Sequence, residues 1–346
     1  MHRAVGAVGA VGIGALFVAG CSPGAERVVE QAPVSVRDVW AAGPDEAWGV
    51  GYHVEGEDFL GAGYGPGPNI VRYDGESWTT AWDSEGGDVY HGVWGAASDD
   101  VWAVGGGLGV AIIAHYDGSE WSELDTGLPF PASWTEELHD VGGTGPSDVW
   151  AVGSTSNTGS FGALVMHFDG VRWSVVSGPD TTGLIGVHVT SDGVVWTLSR
   201  RDGVFRRDGD TWTHFDPGLP LPSGAALARI GEAEGRIWIG GETGIAVFED
   251  GAFVARDAPM AARSRDALLH GDMEVYATFD HERSECDFLH TRCERLVDGQ
   301  IATVRLRRPS GERALVIDSP GIMGATFFAT DEDVWVLGRS YWRIPR

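Results

Sequence analysis

The sequence predicts an all-β fold, a seven-bladed β-propeller of four-stranded antiparallel blades in which an N-terminal strand completes the last blade. Three observations predict it. One unit recurs seven times at a mean spacing of about 48 residues, the period of propeller blades. Each unit divides into short alternating strands separated by turn residues, most of them marked by an Asp-Gly step. The last unit ends one strand short, and the start of the chain carries a segment that fits the gap.

The recurring element is clearest in "DVWAVG", written at Asp100–Gly105 and again at Asp148–Gly153. Looser versions place an aromatic at Trp48, Trp196, Trp238, Tyr276 and Trp335, which with Trp102 and Trp150 form a series of blade anchors. The third unit shows the pattern in full: "ELHDVGG", a polar turn, "VWAVGS", a loop, "ALVMHFDG" and "RWSVV". These read as strands a to d, with Asp99 and Asp100 shaping the turn of the second unit and Trp102 wedged between neighbouring blades. Asp-Gly suits a tight hairpin because Gly accepts positive φ and Asp caps the turn. Asp74, Asp117, Asp169, Asp208, Asp250 and Asp298 are therefore expected to be turn residues.

The step from an aromatic-Asp-Gly turn to a Trp, as in "YDGESW" and "FDGVRW", resembles the kelch repeat. The pattern over residues 26–346 is similar to repeat propellers of secreted bacterial lipoproteins. A kelch-type double Gly stands only at Gly105-Gly106 and Gly240-Gly241. The hairpins also resemble the sialidase Asp-box, with one residue too few between Asp and Trp. Ring closure is expected from "ERVVEQAP" at Glu26–Pro33, which aligns with the d strand "RWSVVSGP" at Arg172–Pro179. Residues 27–31 should pair with Tyr341–Ile344.

Residues 1–20 read as a signal peptide: a short basic start, then an apolar run too short and Gly-rich for a membrane span. Its end, Val18-Ala19-Gly20-Cys21, resembles a bacterial lipobox. The resemblance implies lipidation of Cys21, a tether over residues 21–25, and a propeller held at the cell envelope. Ser22 after the Cys favours the outer membrane. Cys286 and Cys293 are most simply a disulfide outside the cytoplasm. The alternative is a zinc site with His281 and His290.

Composition removes several functions. The chain has no Lys, which excludes Schiff-base lysines and a Walker-type phosphate loop. A net charge of −26 argues against nucleic acid. The charge is uneven, −21 over residues 1–199 against −5 over the remainder, so one side of the ring should be strongly negative. No cofactor or metal is expected; the acidic clusters at Ser98–Asp100 and Asp331–Asp333 suit turn capping better than calcium. The ring is expected to be monomeric.

The a–b and c–d turns are short and repetitive, whereas irregularity gathers in the b–c and d–a connections of the other face. These include Gly51–Pro68, Asp125–Glu137, Asp216–Gly224 and Phe279–Cys293. Loops on a rigid scaffold carry binding residues. Eleven residues before the anchors of the first three units stand Arg37, His91 and His139, expected together at the mouth of the central channel as an anion- or glycan-binding trio. His53, Trp134, Glu136 and Glu137 on the same face complete the candidate set. The leading function is a non-catalytic scaffold for a protein or glycan partner. The alternative is a glycan hydrolase or lyase using face-loop carboxylates such as Glu136 and Glu137.

Overall fold

The computed structural model describes residues 26–29, 34–53, 67–84, 88–107, 109–128, 134–158, 160–219, 229–241, 244–256, 264–280, 301–318, 326–329, 333–337 and 341–345. Residues 1–25 with Cys21, the two cysteines Cys286 and Cys293, Asp298 and most of the Gly51–Pro68 insertion lie outside them. Among the described residues every regular element is a strand. The strands form seven sheets of four, each antiparallel and three of them blades with direct bearing on the site. Blade one is Val34–Gly43, Glu46–His53, Gly67–Tyr73 and Trp78–Ser84. Blade two runs through Val89–Ala97, Asp100–Gly107, Val110–Tyr116 and Trp121–Leu124. Blade three is Thr135–Gly145, Asp148–Asn157, Ser160–Phe168 and Trp173–Val175.

Ring closure follows the expected route. Blade seven combines Thr326–Ala329, Asp333–Leu337 and Tyr341–Pro345 with the N-terminal strand Glu26–Val29. Glu26 faces Arg343 and Val29 faces Tyr341, so pairing begins one residue earlier than expected, with an irregularity after Arg27. The Tyr341 hydroxyl donates to the Val34 carbonyl at 2.9 Å, tying blade seven to blade one.

Blades stack face to face, so strand b has a neighbour on both sides and its apolar run is buried continuously rather than alternately. The core is accordingly divided into seven clusters, each shared by two adjacent blades. Six anchor tryptophans reach forward into the next blade. Trp48 meets Tyr116 at 4.8 Å and Trp121 at 5.4 Å between ring centroids, and Trp335 meets Tyr73 at 4.9 Å. Tyr276 faces the other way: it sits in the cluster shared with blade five, while Met273 and Val275 face blade seven. Strand parity explains this, since neighbouring residues point to opposite faces.

In blades one, two, three and seven the acid two residues before the anchor does more than shape a turn. Asp100 Oδ1 pairs with His115 at 2.7 Å while that imidazole stacks on Trp102 at 4.1 Å. Asp148, His167 and Trp150 repeat the arrangement, and Arg takes the place of His in Glu46–Arg72–Trp48 and Asp333–Arg343–Trp335. The described Asp-Gly hairpins are turns as expected: the side chain of Asp74, Asp117 or Asp169 accepts two backbone N–H groups two and three residues on. The following Gly has φ near +90° in all three.

One irregularity inside the blades positions the site. In blades one to four the register of strand a slips between Val36 and Asp38, Tyr90 and Gly92, Leu138 and Asp140, and Leu184 and Gly186. The unpaired residues are Arg37, His91, His139 and Ile185. A bulge of this kind bends the strand and re-aims one side chain. The last Gly of the repeated motif accommodates it. A Cβ on Gly51, Gly105 or Gly153 would lie about 2 Å from the carbonyl oxygen of Ser35, Val89 or Glu137, two residues before the bulge.

Candidate functional site

The bulged residues of blades one to three come together at the channel. Arg37 Nη1 donates to His91 Nδ1 at 2.9 Å, and His91 Nε2 lies 2.7 Å from Glu137 Oε1. The His91 and His139 rings are 5.6 Å apart, and His139 Nε2 is 3.3 Å from Ser154 Oγ. A guanidinium has no acceptor, so Nδ1 of His91 is unprotonated and Nε2–H donates to the carboxylate. The partners thus fix both tautomer and ring orientation.

Burial holds both imidazoles in the neutral form. It pushes His139 down to about 4 and lowers His91, where Arg37 adds to the effect and Glu137 opposes it. The hydrogen bond from His91, with His139 and Arg37 close by, holds Glu137 at about 2. His91, Glu137 and His139 offer ligand atoms within 4.8 Å of one another, a spacing open to a metal ion. The chemistry of Nδ1 does not fit one. A metal on Nε2 would move the ring proton to Nδ1, facing the Arg37 guanidinium, whereas metal-bound imidazoles direct that proton to an acceptor.

The channel opens into a cavity of about 500 Å³. Blades one to three line it with Arg37, His91 and His139, and the opposite side with His188, Arg200, Arg229 and His270. At its wall lie two half-buried carboxyls that the sequence reading missed. Asp38 accepts the Val93 N–H of the next blade at 2.9 Å, and Asp140 accepts that of Val187 at 2.8 Å. Arg229 Nη2 lies 3.7 Å from Asp38 Oδ1. Burial raises both carboxyls, and with Asp38 nearby Asp140 is pushed up to about 8. The signal was present in sequence, because each bulge residue is followed by Asp or Gly and then Val: Asp38, Gly92, Asp140, Gly186. The glycines leave room, since a Cβ on Gly92 would lie 2.7 Å from Asp140 Cα.

The remaining candidates sit apart from the cavity lining. Glu136 is buried, with its carboxyl raised by desolvation, and its N–H donates to the Gly109 carbonyl. Trp134 is half-buried just before strand a of blade three, and His53 ends strand b of blade one against Gly67. Glu137 stands on the rim with its side chain 43% exposed.

No protein-family model matches the chain, and no curated protein matches its sequence. Solved structures do match. YCF48 bound to a D1 peptide shares 13% identity over 94% of this chain and 98% of its own, with a TM-score of 0.58. The likeness is one of fold. YCF48 from Cyanidioschyzon merolae gives a TM-score of 0.54 at 14% identity, covering 93% of this chain and 99% of that one. The six-bladed fucose-recognising lectin of Aleuria aurantia gives 0.51 at 12%, covering 86% and 99%. At these identities the propeller architecture is shared, and no residue role is transferred.

Proposed function

We propose that this chain is a non-catalytic binding scaffold that takes a protein or glycan partner at the channel mouth and the surrounding b–c and d–a loops. The observation that carries it is the convergence of Arg37, His91, His139 and Glu137 from three bulged strands on one opening. Binding of a peptide by one structural neighbour and of fucose by another supports a propeller in this role. The lipobox-like Val18–Cys21 supports tethering through Cys21 at the cell envelope, on the outer membrane. The kelch-like hairpins belong to the same reading.

A glycan-cleaving centre at Glu136 and Glu137 is the weaker reading. Consecutive strand residues point to opposite faces, so the two carboxyls do not flank one bond. Glu137, held at about 2, is also a poor proton acceptor at neutral pH.

Affinity capture from membranes tests the scaffold. The full chain should retain a partner that is lost on deleting Gly51–Pro68, on replacing the Asp125–Glu137 loop, or in Arg37→Gln. Unchanged capture by all three variants would sink the reading.

A further inference from the structure

We propose that the channel mouth is a carboxylate receptor, and that Glu137 occupies the seat taken by the ligand's carboxylate. The inference rests on the binding reading above and adds the chemistry of what is bound.

The distribution of bases is the first observation. The chain carries a net charge of −26, yet three arginines stand on a single cavity with four histidines as further hydrogen-bonding groups, facing the carboxyls of Asp38, Asp140 and Glu232, of which Asp38 is paired with Arg229. Residues 1–199 contain only five arginines, and one of them, Arg37, stands on this cavity at a bulge. Low-dielectric walls focus such a charge on an anion entering the opening.

The second observation is the direction of the hydrogen bonds. Arg37 has only donors to offer, and His91, its Nδ1 already engaged, presents Nε2–H. The carboxyls on the cavity are in use, Asp38 on Val93, Asp140 on Val187 and Val141, and Glu232 on His188. A neutral sugar hydroxyl needs an acceptor as well as a donor, whereas a carboxylate is satisfied by donors alone. Glu137 shows the fit, its carboxylate on His91 Nε2 at 2.7 Å. Because that side chain is 43% exposed, it can turn out to water and leave His91 to the incoming group.

Titration calorimetry of the full chain at neutral pH and low salt tests the proposal with two matched pairs of probes. One pair is galacturonate and galactose; the other is a short peptide with a free C-terminus and its C-terminal amide. The carboxylate of at least one pair should bind and its neutral counterpart should not, and the pair that responds identifies the source. Arg37→Gln should weaken that binding by about 30-fold, the usual cost of removing one member of a buried charged pair. Glu137→Gln should strengthen it by about tenfold, because the resident charge no longer competes. The rim variant reports even where Arg37→Gln fails to fold. Equal behaviour of both members of both pairs, or weaker binding in Glu137→Gln, overturns the proposal. Partner capture that depends on the mouth while no carboxylate binds would remove this inference and leave the scaffold standing. Carboxylate binding with capture indifferent to the mouth would do the reverse.

Discussion

Replacing Asp140 with Asn should remove a pH dependence of stability that the native chain carries. Asp140 stands beside Asp38 at the cavity wall, and desolvation together with that neighbour raises its carboxyl from 3.8 to about 8. Between those values the folded state holds a proton that the unfolded state has released. Stability from this group is therefore complete below about pH 4 and is lost as the pH climbs through the folded value. Each unit of the interval corresponds to about 1.4 kcal/mol. From about pH 5 to about pH 8 the native protein should lose about 4 kcal/mol relative to Asp140→Asn. The variant has its own constant cost, because both Asp140 oxygens accept backbone N–H groups, from Val141 and Val187. An amide nitrogen facing one of them costs about 1–3 kcal/mol at every pH. Urea unfolding of both proteins across the interval separates the two effects, and groups common to both cancel. A stability difference that stays flat from about pH 5 to about pH 8 would refute the protonation of Asp140 in the folded state.

Three further outcomes follow from the packing. Trp48→Ala should cost about 3–5 kcal/mol in urea unfolding, since the ring is almost fully buried between Tyr116 and Trp121 of the next blade. Deleting Glu26–Val29 should expose the outer edge of Tyr341–Pro345; amide exchange should rise in blade seven first, and the chain should self-associate through the open edge. Gly153→Ala would set a Cβ 1.9 Å from the Glu137 carbonyl, so it should cost about 1–3 kcal/mol and weaken partner capture along with stability.

Much of this architecture was readable because repetition exposes it. The "DVWAVG" copies, the Asp-Gly hairpins and the orphan strand at Glu26 define seven blades and their closure without any need for coordinates. The trio Arg37, His91 and His139 was also reachable, by counting back from the anchors, since each stands at the same bulge. What the count did not show is that an extra residue lies there and that the motif's last Gly makes space for it. Tyr276 misled for a related reason: "EVYATF" resembles the motif, yet a one-residue change of parity turns its ring toward blade five. Asp38 and Asp140 look in sequence like two more acids in an acidic chain. Only their burial against neighbouring backbone amides distinguishes them. Arg200 and Arg229 reach the cavity from blades far along the chain, a proximity that no local pattern encodes.

Hydrogen exchange of the full chain, alone and with its captured partner, tests most directly whether recognition is centred on the bulged strand ends. Protection should gather where strand a enters blades one to three, at residues 34–38, 88–92 and 134–140. The a–b turns at Pro44-Asp45, Ser98-Asp99 and Pro146-Ser147 on the opposite face should exchange as before. Protection confined to those turns, with no change around Arg37, His91 and His139, would contradict the account.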